Sequence, residues 1–190
     1  MQLIILGPPG VGKGTQSQLI AQNLHLIHLS TGEILRNNVD KKTHLGLQAK
    51  LVMENGKLVS DDIMIGMIRD ELSKPEMNKG FILDGFPRTL EQAKALDNIF
   101  TDLKFDDVKI INLVVSEEEI IKRLMARGRQ DDSLETVKHR LSVYREQTAP
   151  VKSYYLQKFI VFDINGEGSI EEINNSILHV LTRVNVKEFK

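Results

Sequence analysis

The chain has 190 residues, 41 % of them hydrophobic and 27 % charged, with 25 Lys and Arg against 26 Asp and Glu and no Cys. At ~100–200 residues per domain this is one globular unit, and disorder, a collagen-like rod and a coiled coil are excluded by composition. The net charge of −1 leaves no global field for nucleic acid or an anionic membrane, although a local basic cleft remains open. Without Cys there is no disulfide scaffold, thiolate zinc site or Cys nucleophile. No apolar run approaches the ~18–20 residues of a membrane span. The opening MQLIILGPPG lacks the basic n-region of a signal peptide, and with the missing Cys this points to a cytoplasmic protein. No repeat or Pro/Gly/Ser-rich linker divides the sequence.

Leu3–Leu6 is an apolar run ending at Gly7 and predicts a buried strand; Thr15–Leu24 follows with helical character. Leu26–Leu29 predicts a second strand. Residues 30–59 then hold two helical patterns with turns at Gly46 and Gly56, before a helix starting near Ser60. Phe81–Leu83, Lys109–Val115 and Phe159–Phe162 predict strands three to five. Arg127–Asp132 reads as a polar turn between two helices. Ser30-x-x-Glu33, Thr89-x-x-Gln92, Ser116-x-x-Glu119 and Ser169-x-x-Glu172 each fit a capping box, in which the hydroxyl takes a free backbone N–H and the acid or amide reaches back. Strands separated by helices predict an α/β fold, a parallel sheet covered on both faces. Ligands of such sheets bind beyond the strands' carboxyl ends, so the residues after Leu6, Leu29, Leu83 and Val115 are where chemistry is expected.

Gly7-Pro-Pro-Gly10-Val11-Gly12-Lys13-Gly14-Thr15 follows the first strand with the Gly-x4-Gly-Lys spacing of a phosphate loop. Glycines let successive backbone N–H groups turn inward on an oxyanion, the next helix adds the positive end of its dipole, and Lys13 brings a point charge. The general pattern places Ser or Thr directly after the Lys; here it is Gly14, with Thr15 next. By itself the loop predicts nucleoside triphosphate binding without naming the reaction.

Asp84-Gly85-Phe86-Pro87-Arg88 follows the third strand. Arg88 can grip a phosphate in bidentate fashion, Asp84 can hold magnesium directly or through water, and Pro87 fixes the turn, with a cis bond as one option. A plain turn with a solvated Arg88 is the competing reading. Arg123, Arg127, Arg129, Arg140 and Arg145 crowd one stretch; Arg123 and Arg127 share a helix face. A solvated face paired with Glu117–Glu119 and Asp131–Asp132 would be the ordinary account. The neighbouring polyphosphate loop shifts the balance to anion binding. His25-x-x-His28, Asn174-Asn-Ser176, Tyr154-Tyr155 and the Phe residues read as packing, surface or chance.

With these residues in place, the sequence resembles the adenylate kinase family in its short-lid form. The matching motifs are the loop Gly7–Gln16, including Gly14 before Thr15; Leu29-Ser-Thr-Gly-Glu33; Gly56-Lys-Leu-Val59; Asp84–Arg88 with Gln92; Arg129-x-Asp131-Asp132; and Glu146-Gln-Thr-Ala-Pro150. They run in order along nearly the whole chain. The resemblance implies a P-loop kinase fold, with a five-stranded parallel sheet and helices on both faces. It also implies a core of residues 1–29, 60–125 and 133–190, a helical nucleotide-monophosphate flap at 30–59 and a very short lid at 126–132. It implies magnesium-dependent, reversible transfer of the terminal phosphoryl of ATP to AMP, giving two ADP. Gly10, Val11, Gly12, Lys13, Gly14 and Thr15 would hold the ATP phosphates, with Arg127 and Gly168 also on the ATP side. Thr31, Arg36, the backbone of Lys57, Leu58 and Val59, the Gly85–Arg88 turn, Gln92, Arg129 and Arg140 would hold AMP. Lys13, Arg88, Arg123, Arg129 and Arg140 would surround the transferring group, and Asp84 would meet the magnesium, through water. The short lid without Cys rules out the zinc-bearing lid of other members. A monomer with ATP, AMP and ADP as its small-molecule partners, and no nucleic acid or membrane, is expected.

Three other readings compete with this one. A UMP/CMP kinase on the same fold usually carries Ala and Asn where this chain has Thr31 and Gln92, and the Gln92 amide suits an adenine edge. A GTPase needs Asp-x-x-Gly followed by Asn-Lys-x-Asp, but Asp163-Ile-Asn-Gly166 is followed by nothing of that kind and Asn78-Lys79-Gly80-Phe81 fails at its last position. A non-catalytic ATP-binding module has no need of a second phosphate site.

Overall fold

The computed structural model describes residues 1–128 and 133–184, with side chains to residue 182 in the last helix. Arg129 and most of the expected lid lie outside the described residues. Five strands, β1 (Gln2–Leu6), β2 (Ile27–Ser30), β3 (Phe81–Asp84), β4 (Val108–Val114) and β5 (Val161–Asn165), form one parallel sheet in the order β2-β3-β1-β4-β5. Between them run α1 (Lys13–Leu24), α2 (Thr31–Asp40), α3 (His44–Glu54), α4 (Asp61–Leu72), α5 (Leu90–Leu103), α6 (Glu117–Arg127), α7 (Leu134–Val143), α8 (Ala149–Tyr155) and α9 (Ile170–Val184). A 3₁₀ turn spans Pro75–Lys79 and a π-helical turn spans Tyr144–Thr148.

The strands read as unbroken apolar runs because both sheet faces are covered. Successive side chains point to opposite faces, and the two sets enter different cores. Ile4, Leu6, Phe81, Leu83, Val108 and Ile110 pack with residues of α4, α5 and α8 such as Ile68, Leu96 and Val151. Leu3, Ile5, Ile82, Ile111 and Leu113 pack with Ile20 of α1 and Ile173, Ile177 and Leu181 of α9. A third cluster of Ile120, Leu124, Val137 and Leu141 joins α6 to α7. Tyr155 is fully buried against Phe159 and Phe81 packs on Phe100 and Phe105, so these rings serve the core. No helix among the described residues is long and apolar enough to cross a membrane.

Strand order decides where a ligand can sit. From β1 the chain first builds β2 and β3 on one side, then crosses to β4 and β5 on the other. The loops leaving β1 toward α1 and leaving β3 and β4 toward α5 and α6 therefore diverge above the centre of the sheet, and a crevice opens there.

Several expectations need correction. The fifth strand is Val161–Asn165 rather than Phe159–Phe162, because the Phe159 amide still bonds the Tyr155 carbonyl at 2.8 Å and so closes the preceding helix. Asp163, which ends the apolar run, stays in the strand because Lys152 and Asn112 bond its two oxygens at 2.7 Å each. Gly46 is no turn: it sits in the first turn of α3, where a Cβ would come within 2.0 Å of the Asn38 carbonyl oxygen, and α2 ends earlier, at Asp40. Of the four capping boxes only Ser169–Glu172 closes in both directions. The Ser30 hydroxyl turns to Asp84 and the Ser116 hydroxyl to Glu167, while Gln92 reaches the amide of Arg88 rather than that of Thr89.

Candidate active site

A cleft of about 780 Å³ lies along the carboxyl ends of the strands. That is toward the upper end of the ~300–1,000 Å³ usual for small-molecule sites. Every candidate site residue named from the sequence that falls among the described residues lines it.

The loop after β1 forms its floor. Gly7, Gly10 and Gly12 all have positive φ, 138°, 85° and 106°. Gly10 also lies against α6, where a Cβ would stand 2.6 Å from Cγ of the fully buried Leu124. The loop thus rests on the α6–α7 core, and truncating Leu124 to Ala would cost about 2–5 kcal/mol of packing directly beneath it. Gly12 caps α1 in the left-handed conformation, which aims the free N–H groups of the first helical turn into the cleft. Lys13 opens that helix, and its Nζ donates to the Gly7 carbonyl at 2.8 Å and the Pro8 carbonyl at 2.9 Å. Burial draws its pKa down to about 8; Asp84 opposes this, and the charges of Arg88, Arg140 and Arg127 add to it. Gly14 and the exposed Thr15 complete the loop. A Cβ on Gly14 would stand 3.5 Å from Asp84 Oδ2, so the β3 carboxylate lies beside the start of α1.

The β2–β3 side forms one wall. Thr31, fully buried, donates to the Asp84 and Gly85 carbonyls at 3.3 and 3.0 Å. Gly85 has a φ of 83°, and a Cβ there would meet Thr31 Oγ1 at 2.7 Å and Arg88 Nη2 at 3.0 Å. Phe86–Pro87 is a cis peptide, and Arg88 Nε donates back to the Gly85 carbonyl at 2.7 Å. Burial and the charges of Arg140 and Arg36 pull Arg88 below the usual guanidinium range, with Asp84 opposing. Burial alone would raise the Asp84 carboxyl, but His28, Lys13 and Arg88 outweigh it and hold the carboxyl below its usual value. The insert adds Arg36 from α2, whose guanidinium lies against Gly32, and Lys57, Leu58 and Val59 after α3. Gln92, buried on α5, closes this wall.

The β4–β5 side carries the remaining arginines. Arg123 of α6 donates to Glu119 Oε1 at 2.8 Å and to the Val11 and Gly166 carbonyls at 3.3 and 3.0 Å. It therefore ties the phosphate loop to the end of β5, where Gly168 lines the cleft. Arg127 of α6 and Arg140 of α7 line it too. Arg145 does not: it pairs with Glu117 at 2.8 Å on the exposed face, the ordinary surface arrangement. The charges of Arg88, Arg127 and Arg140 lower the pKa of Lys13, and those of Arg140 and Arg36 lower that of Arg88, so several cations converge on one volume. An anion bound there would add to the relief that Asp84 gives Lys13 and Arg88.

The roles of three residues escaped the sequence reading. Asp61, first in α4, accepts from the Thr89 hydroxyl at 2.9 Å and from Gln92 Nε2 at 2.7 Å. His28, read as packing or surface, has its Nε2 3.9 Å from Asp84 Oδ2. Thr148 donates to the Arg88 carbonyl at 2.8 Å. Asp61 and Thr148 act across 28 to 60 residues of sequence, where no local pattern could reveal them; the His28 position follows from β2 pairing with β3, which sets His28 opposite Ile82, two places before Asp84.

Comparison with known proteins agrees with this geometry. The family model described as adenylate kinase matches residues 5–160. An adenylate kinase of Leptospira biflexa is 48 % identical over 181 residues, 93 % of this chain and 97 % of that protein. One of Corynebacterium urealyticum is 45 % identical over 185 residues, 96 % of this chain and 100 % of its own. One of Methanocella arvoryzae is 41 % identical, over 93 % of this chain and 96 % of its own.

Proposed function

The chain belongs to the adenylate kinase family, and from that premise we propose that it catalyses the reversible, magnesium-dependent transfer of the terminal phosphoryl group of ATP to AMP, giving two ADP. The observation that carries this reading is the cleft in which Lys13 and Arg88 meet, one on the central loop and one on the β3 wall.

The donor phosphates lie on the N–H groups of Gly10 to Thr15, with Lys13 at the terminal group and Arg127 and the Gly168 backbone on the same side. The acceptor lies against Thr31, Arg36, Lys57–Val59, Gly85–Arg88 and Gln92, with Arg129 and Arg140. An acceptor phosphate oxygen attacks the terminal phosphorus, the bond to the donor's bridging oxygen breaks, and the electron pair stays on the departing diphosphate. That oxygen is already largely ionised near neutral pH, since the second pKa of a phosphate monoester is about 6, so no general base is required. Catalysis is alignment and charge cancellation, which Lys13, Arg88, Arg123, Arg129 and Arg140 supply. Asp84 fits a magnesium site: it is a carboxylate kept ionised at a strand end beside Gly14, with no bulk between it and the loop. Magnesium suits a site of one carboxylate plus substrate phosphates and water, and when bound it neutralises charge on the transferring group. The insert covers the acceptor wall, and closing it over the cleft keeps water from competing as acceptor.

The test incubates the protein with MgATP and each of AMP, UMP, CMP and GMP and separates the products. ADP formed with AMP alone supports the proposal. UDP or CDP in preference would transfer the assignment to a pyrimidine nucleotide kinase, and free phosphate without an acceptor would make it a hydrolase.

A further inference from the structure

We propose that Asp61 fixes the orientation of the Gln92 amide and thereby makes the acceptor pocket prefer adenine to a 6-oxopurine. The proposal rests on the reading above that Gln92 faces the acceptor's base.

Gln92 is 1 % exposed and its amide is held from two ends. Nε2 donates to Asp61 Oδ1 at 2.7 Å, and Oε1 accepts from the Arg88 backbone N–H at 2.7 Å. A carboxylate can only accept and a peptide N–H can only donate. Turning the amide over would set oxygen against oxygen at one end and N–H against N–H at the other. Asp61 is itself anchored. Its Oδ2 accepts the Thr89 hydroxyl at 2.9 Å, and Thr89 Oγ1 in turn accepts the Gln92 backbone N–H at 3.1 Å as the cap of α5. Asp61 opens α4 directly after the cleft-lining Lys57–Val59, so the network joins the end of the insert to the start of α5.

One hydrogen on Nε2 and one lone pair on Oε1 remain for a ligand. Adenine presents an amino donor at position 6 beside a bare acceptor at N1. Hypoxanthine and guanine present an acceptor at position 6 beside an N1–H donor. The two edges are mirror opposites in donor and acceptor order, so an amide free to flip would serve both equally. An amide with one permitted orientation serves one. Asp61 touches no base in this scheme and acts as a positioning residue.

The experiment measures kcat/KM for AMP and for IMP, with MgATP, in the wild type, Asp61→Ala, Asp61→Asn and Gln92→Ala. Taking the IMP/AMP ratio within one preparation cancels any loss of folded fraction. The Asn variant keeps the side-chain shape but offers either an oxygen or an N–H to Gln92. Both Asp61 variants are expected to raise the ratio about tenfold, the equivalent of one lost hydrogen bond to a charged group, chiefly through the two KM values. A ratio unchanged in both, with the preference weakened in Gln92→Ala, overturns the proposal and leaves the acceptor assignment standing. An unchanged preference in Gln92→Ala overturns both.

Discussion

The hydroxyl of Thr148 donates to the carbonyl of Arg88 at 2.8 Å, while the N–H of Arg88 is taken by Gln92. The backbone N–H and carbonyl of this arginine thus both have partners, the carbonyl from the π-helical turn after α7 and the N–H from α5. The guanidinium projects from a backbone that two separate elements hold still, which is what a bidentate grip on phosphate demands.

Thr148→Val keeps the volume and deletes that donor. It leaves the Arg88 carbonyl short of a partner, so stability should fall by about 1–2 kcal/mol, read as a lower urea midpoint at unchanged slope. The acceptor KM should rise severalfold while the donor KM holds. A donor KM that moves equally would place the effect elsewhere than at Arg88.

Burial, above all, draws the pKa of Lys13 down to about 8. Bringing polyphosphate to its side favours the charged form, so binding takes up protons around pH 8 and affinity weakens as pH climbs through that value. Titration calorimetry at pH 8 in buffers of different ionisation enthalpy should reveal uptake of a fraction of a proton, absent in Lys13→Met. The linkage to folding has the same sense as that of a carboxylate in an ion pair, since both groups have a lower pKa in the fold than in the unfolded chain. Between about pH 8 and 10.5 the unfolded chain binds the extra proton, so this group makes the unliganded fold gain stability as pH rises.

Gly10 lies in the floor of the cleft and Gly85 in its β3 wall, and each is left-handed and crowded. Gly10→Ala drives a methyl group into Leu124 and should raise the donor KM. Gly85→Ala drives one against Thr31 and Arg88 and should raise the acceptor KM. Each should also lower stability by about 1–3 kcal/mol, the usual range for backbone strain. Steady-state kinetics with either nucleotide varied separates the two effects; the same KM responding in both variants would contradict the division of the cleft.

Arg140 and Arg145 are near neighbours in sequence with different fates. Arg145 is 60 % exposed and paired with Glu117, so Arg145→Gln should change stability by less than about 0.5 kcal/mol and leave turnover alone. Arg140→Gln removes a cation from the cleft and should reduce kcat by about a hundredfold, as removal of one transition-state charge contact does. Parallel assays of the two variants, with denaturation curves, check the contrast.

How much of this the sequence disclosed depended on range. The strand-to-loop passage from Leu3 to Lys13 is local: apolar run, glycines and lysine lie side by side, and the folded loop follows directly. The same holds for Asp84 to Arg88. Helix starts were legible in place but not in chemistry, since Ser30 and Ser116 spend their hydroxyls on Asp84 and Glu167 in other elements. The fifth strand slid along the chain because a charge that looked like a terminator found two partners in the fold. The support behind the site was hidden most completely. Asp61 looks like any acid in a first helical turn, and its bond to Gln92 bridges 31 positions.

The alternation of each strand between two interiors constrains the mouth above it. Adding one residue within Gln2–Leu6 would turn Leu3 and Ile5 toward the neighbours now reserved for Ile4 and Leu6, upset both cores together and swing the first glycine of the loop off its axis. Residues gained or lost in exposed surface turns disturb neither interior. Length is negotiable in the canopy of this enzyme and fixed in its floorboards.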